Sequence, residues 1–128
     1  YWIGGGYAPE LYFSNNVHWM GYQEHPRDYY PLIDLFFLSS RDEPLGMVCA
    51  EALMHEKHCV SYGNAGYAEL IRGISGCAVY EEYTVTSAYD AIRRALASTL
   101  DCEAVKAMLE ITSGADAFIQ RFDSFLVE

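Results

Sequence analysis

The stretch from Asp34 to His58, DLFFLSSRDEPLGMVCAEALMHEKH, constrains the fold more than any other part of the chain. An apolar run stops at Ser39-Ser40, a loop carries Glu43 and Gly46, and a long apolar segment leads into a second run, HCVSYG. Strand, loop, helix and strand in that order form the crossover that parallel neighbours need, because a parallel connection must travel the length of the sheet and return. LFFL has no polar alternate, as a strand covered on both faces requires.

The helix in this unit has apolar residues on nearly every side. At 100° per residue, Leu45, Met47, Val48, Cys49, Ala50, Ala52, Leu53 and Met54 spread around the circumference instead of making one stripe. The sheet covers one side, so the other should meet a ligand, a second domain or a partner chain. Glu51 interrupts the pattern between Met47/Val48 and Met54/His55. Burying its carboxylate unpaired costs on the order of several kcal/mol, so Glu51 either faces water beside His55 or accepts hydrogen bonds, and ligand hydroxyls qualify.

Ahead of the helix, Ser39, Ser40, Asp42 or Glu43 can cap, Pro44 suits a first helical position, and Gly46 permits close approach to the backbone. The amides of Gly46, Met47 and Val48 would then point out of a helix end with partial positive charge, as a phosphate site requires. Most such termini hold only their own cap, and Asp42 and Glu43 serve equally as favourable first-turn acids.

Composition excludes several classes. A chain of 128 residues is expected to be one domain, 1–128, with a real core. A formal charge of −10 with no Lys/Arg cluster argues against nucleic acid, although helix-end amides can hold one pyrophosphate without a basic patch. Cys49, Cys59, Cys77 and Cys102 make no C-x-x-C pair and sit in apolar runs, which reads as reduced core thiols of a cytoplasmic protein. His55, His58 and Cys59 straddle a helix end and a strand start, and no second ligand pair completes a zinc set, so no metal is expected. No run approaches the roughly 20 residues of a transmembrane span. The chain opens on Tyr1 inside an apolar run and is expected to be a fragment of a longer polypeptide, one whose full-length form could associate with a membrane peripherally.

In order, YWIGGG is a glycine-broken strand, and at most one helical turn fits between Ala8 and Asn16. VHWMGY is the second strand, in which His18 reads as a satisfied strand residue. A loop and a short helix from about Arg27 follow, with Pro31 as kink or break. Leu35–Leu38, His58–Gly63 and about Cys77–Tyr80 are the remaining strands, and a short helix ends at Gly73. From Thr86 the pattern is helical, with Ile92, Leu96, Ala104, Met108, Phe118, Phe122 and Phe125 as inward positions. The expected fold is α/β, a three-layer Rossmann-like parallel sheet of about five strands with helices on both faces. Ligands then belong at the carboxyl edge, at Gly4–Gly6, Gly21–Gln23, Ser39–Gly46 and Gly63–Gly66, where the turn Asn64-Ala65-Gly66 should also present free amides.

The order of these pieces resembles a family. An apolar strand, Ser-Ser, Glu43, Leu-Gly and then Glu51 resembles the glutamate pair, with seven intervening residues, of retaining GT-B glycosyltransferases of the family-4 type. IGGG-x-x-P, VHWMGY, DLFFLSS, VSYGNAGYAELI and the closing FIQRFDSFL resemble the family's flanking segments in the right order over about residues 1 to 127. The resemblance implies the donor-binding half of an enzyme that moves a sugar from a nucleoside diphosphate to an acceptor with retention. It implies Glu43 as the catalytic residue, on donor-sugar hydroxyls, and Glu51 on the ribose. The amides at Gly46, Met47 and Val48, with Leu45 beside them, fall on the diphosphate, and Gly21, Tyr22 and Gln23 fall near the base. No cofactor and no metal is implied.

The chain departs from the family at Pro44-Leu45, where Gly-Phe is usual, and lacks the basic Arg and Lys segment and the N-terminal acceptor domain. Without the family's preceding strand, strand 1 would pair with strand 3 in the order 2-1-3-4-5, and the chain alone should not catalyse transfer. The competing reading is a non-catalytic interaction module whose apolar helix covers a protein surface. A flavodoxin or response-regulator domain fits the strand order but lacks that fold's phosphate loop or acidic cluster.

Overall fold

Two compact units, 1–32 and 33–128, make up the computed structural model, which describes residues 1–4 and 16–113. In the first unit, β1 (Trp2–Ile3) and β2 (Trp19–Gly21) pair in parallel with a shift of register between Trp2 and Ile3. Trp2 N–H donates to the His18 carbonyl at 2.8 Å and Gly4 N–H to that of Gly21 at 3.0 Å. Trp2 meets Trp19 edge-on, and His18, exposed and just ahead of β2 instead of within it as expected, stacks on Tyr1 with ring centres 5.4 Å apart. A 3-10 helix at Pro26–Leu32 follows, with Pro31 inside it and Tyr30 buried.

The second unit is built around β4 (His58–Tyr62), which lies between β3 (Leu35–Leu38) and β5 (Cys77–Tyr80) with all neighbours parallel. Its alternation sorts the core. Cys59 faces Leu38, Leu53, Ile71 and Val105, whereas Val60 faces Ala78, Tyr80, Ala91 and Ala95. Helices α1 (Met47–Met54), α2 (Ala68–Ile71) and α4 (Cys102–Ser113) therefore cover one face and α3 (Val85–Leu96) the other. Both faces of β4 are shut off from water, and Cys59, Val60 and Ser61 are each 0% exposed. Three layers of parallel α/β structure are thus present as expected.

Four expectations need correction. Among the described residues the five strands make two sheets, β1-β2 and β3-β4-β5, not one ladder in the order 2-1-3-4-5. β1 contributes only Trp2 and Ile3, too few residues to sustain a long ladder. Helix α1 begins at Met47 and not near Pro44, because Gly46 sits at φ 74° and breaks the helical path. Leu96 is exposed, while Ala91 and Ala95 are buried; α3 approaches the sheet through small residues, and its larger side chains fall on the flank. In α4 the fully buried residue is Val105, which the pattern passed over; Met108 packs against the same core as expected, and Ala104 is only partly covered. The turn expected between Ala8 and Asn16 and the helix with Phe118, Phe122 and Phe125 lie outside the described residues.

All four cysteines are free. The Cys59 thiol is pushed well up by a hydrogen bond with Cys49 and by burial, which keeps it an unreactive core thiol.

Candidate functional site

The connection from β3 to α1 carries most of the residues singled out above. It begins at Ser39, whose carbonyl accepts from Tyr83 O–H at 2.7 Å, and the Arg41 guanidinium lies 4.8 Å above the centre of the Tyr83 ring. It ends at Gly46, a buried N-cap with no side-chain cap hydrogen bond. Between them, Glu43 folds back on the loop. Its Oε1 accepts from Gly46 N–H at 3.0 Å, and its backbone carbonyl accepts from Gly66 N–H, also at 3.0 Å.

These bonds change the expected supply of free amides. Gly46 N–H is already used by Glu43, and in the β4–α2 turn Ala65 N–H donates to the Tyr62 carbonyl and Gly66 N–H to Glu43. Ala65, Gly66 and Gly46 thus do not offer the open donors that sequence alone suggested there. Met47 N–H donates to no acceptor among the described residues, so the positive end of α1 remains open there. Oε2 of Glu43 likewise has no protein donor among the described residues. Leu45 and Met47 are half exposed, at 51% and 49%, with Val48 beside them, and Glu51 is half buried one turn further along the helix. The loop and first turns of α1 thus bring together Glu43, Leu45, Gly46, Met47, Val48 and Glu51.

Gly21, Tyr22 and Gln23 stand at the end of β2, in the first unit. Gly21 takes φ 65°, and Tyr22 is exposed. Both ends of the Gln23 amide are used locally: Nε2 donates to the Met20 carbonyl at 2.6 Å and Oε1 accepts from Tyr29 O–H at 2.8 Å. Backbone, and not the Gln23 side chain, is what this turn presents.

One feature escaped the sequence reading. A groove of about 400 Å³ runs along the α3 face, lined by Phe37, Tyr80, Tyr83, Val85, Tyr89 and Ile92 among others, and of the residues expected at the carboxyl edge Ser39 alone lines it. Tyr62, Tyr80 and Tyr83 form an aromatic cluster with centroid spacings of 5.0 to 6.4 Å. The only signal was the recurrence of tyrosine at 62, 80, 83 and 89, which has no helical or strand period.

Parallel strands with helices on both faces define a Rossmann-like α/β domain, and an open helix end stands at its carboxyl edge with two acids beside it. Residues 7–111 match the family model described as glycosyl transferases group 1, and the chain belongs to that family. A comparison with curated proteins finds no match. The chain is therefore a glycosyltransferase domain, and glycosyl transfer is the reaction class it serves. No described helix is long and apolar enough to cross a membrane.

Proposed function

We propose that the chain is the donor-binding half of a GT-B, family-4-type retaining glycosyltransferase, and that the β3–α1 connection receives a nucleoside-diphosphate sugar. The observation that supports this most is the pairing of an open helix end with two carboxylates separated by seven intervening residues, in a chain of the group 1 family. Glu43 is held by Gly46 through one oxygen and keeps Oε2 for a donor-sugar hydroxyl. The Met47 amide, with the positive end of α1 behind it, serves the diphosphate. Glu51 accepts from the ribose hydroxyls, a charge-assisted bond that a carboxylate makes well.

Oxygen acceptors and amides do this work without a metal or cofactor. Leu45 supplies an apolar wall where a flexible Gly-Phe would otherwise stand, and the preceding Pro44 stiffens the loop. The Arg and Lys that the family places just after this domain's first strand have no counterpart in these 128 residues, so their donor affinity is weak. A second reading rests on the exposure of Leu45, Met47 and Met54, an apolar surface on α1 that suits protein docking.

Protein-observed NMR of the chain, titrated with uridine, guanosine and adenosine diphosphates at millimolar levels, separates the two. Shifts across Gly46 to Glu51, with one base preferred, are expected. No shift there with any of the three overturns the donor reading in favour of docking. Shifts at Gly21, Tyr22 and Gln23 test their assignment to the base independently.

A further inference from the structure

We infer that Gly66, in the turn after β4, is a positioning residue for the Glu43 loop, and that it acts through the Pro44 carbonyl. By pattern Gly66 is an ordinary turn glycine, and it is exposed. The reason for glycine lies in what faces it. A Cβ on Gly66 would stand 2.2 Å from the Pro44 oxygen, 3.1 Å from the Pro44 carbonyl carbon and 3.2 Å from Leu45 Cα. All three are backbone atoms, and none can swing aside as a side-chain end would. The Pro44 ring further restricts how that peptide can turn.

The same residue also holds the loop by attraction, through its N–H bond to the Glu43 carbonyl at 3.0 Å. Contact and bond together fix the height of Glu43 and Pro44 over the β4–α2 turn. The neighbouring Tyr67, 2% exposed, completes the brace, because a Cβ on Gly46 would lie 3.5 Å from Tyr67 Cβ and 3.2 Å from Leu38 Cδ2. The loop is thus wedged between Leu38 below and residues 66–67 beside it. Its carboxylate and open amide are set by a turn that contributes no side chain to the ligand.

The consequence for transfer rests on the donor-site reading; the positioning itself does not. In Gly66→Ala the Pro44 carbonyl must yield, so the amides of Gly46, Met47 and Val48 should shift in the ligand-free spectrum, and nucleoside-diphosphate affinity should fall at least tenfold. Ala91→Gly, in the middle of α3 on the opposite face, loses stability by an unrelated route and controls for general loosening. Should Gly66→Ala fail to fold, the Gly66→Ala/Pro44→Gly double variant relieves the collision by freeing the carbonyl, and its fold should return with the loop amides still displaced. Non-additive stabilities of the two substitutions would confirm the route through Pro44. The inference is overturned if amide shifts and affinity in Gly66→Ala match those of Ala91→Gly, or if the two stabilities simply add. If the unsubstituted chain binds none of the three diphosphates, the donor reading fails, while the ligand-free shifts still decide the positioning.

Discussion

Two helices start at the same edge of the three-stranded sheet, and they start differently. Helix α3 is closed by its own sequence: Thr84 is extended at φ −126° and ψ 153°, and its hydroxyl accepts from Ser87 N–H at 3.2 Å. Helix α1 has no such cap. Its N-cap is Gly46 in the left-handed region, and the nearest acid, Glu43, binds the Gly46 amide and leaves that of Met47 open. A helix end that satisfies itself has nothing left for a ligand, whereas one that forgoes its cap keeps a donor and a positive field. The lost cap costs α1 about 1 kcal/mol of local stability, which its buried Cys49, Ala50, Ala52 and Leu53 offset.

The most damaging way to break this contrast is Gly46→Ala. A left-handed φ costs an L-residue about 1–2 kcal/mol, and the new Cβ would also press on Leu38 Cδ2 at 3.2 Å. Chemical denaturation should show a loss of about 2 kcal/mol or more, with nucleotide binding abolished at concentrations where the protein remains folded. A fully stable Gly46→Ala protein would show that the open end does not depend on this backbone.

Next in size is Glu51→Gln, which keeps shape and loses charge. Ribose hydroxyls lose a charge-assisted acceptor, and a roughly tenfold weaker diphosphate affinity, about 1.4 kcal/mol, should follow by titration. Glu43→Gln should largely spare free nucleotide, because an amide oxygen can still accept from Gly46 N–H, and should instead depress sugar transfer in the longer enzyme. Equal loss of nucleotide affinity in both variants would contradict the division of roles.

Thr84→Ala sharpens the contrast from the closed side. Removing the hydroxyl leaves Ser87 N–H without its partner and should cost about 1 kcal/mol in denaturation while leaving nucleotide affinity unchanged. A change in affinity would mean that the α3 end, or the tyrosine groove beside it, communicates with α1.

The two ends also differ in how legible they were. The LFFL strand, the Cys77–Tyr80 strand and the apolar helix between Glu43 and His55 follow from hydrophobic pattern alone, and the parallel order follows from their alternation. The start of α1 did not, because Pro44 is a favourable first helical residue and only the φ of Gly46 delays the helix to Met47. Its end was also unsignalled. Glu56, at φ 57°, occupies the left-handed position usually given to glycine, with Lys57 N–H reaching the Ala52 carbonyl and Glu56 N–H that of Leu53. In α3, pattern favoured Leu96 over the alanines, because burial by close approach of small side chains leaves no hydrophobic stripe to read. At the site, the family resemblance pointed to Glu43 and Glu51, yet nothing local to the 39–46 loop announced its contact with Gly66, twenty residues after Gly46.

The smallest expected effect concerns what keeps the α3 side in place. Arg72, just past α2, donates through Nε to Glu69 at 3.0 Å and through its other arm to Glu81, which leads from β5 toward α3. The bond from Arg72 holds the Glu81 carboxyl below its ordinary range. A depressed folded-state value stabilises at pH above the unfolded carboxylate value, and that contribution fades as pH falls through the folded one. Both partners are exposed, so salt and water screen the pair and the effect is slight. Melting curves of Arg72→Ala and the unsubstituted chain should therefore differ a little at pH 7 in dilute buffer, and converge as pH falls below the ordinary carboxylate range or salt rises to about 1 M. A difference that persists at low pH would show that Arg72 acts through packing of its stem against α2, and that the closed end of α3 owes nothing to charge.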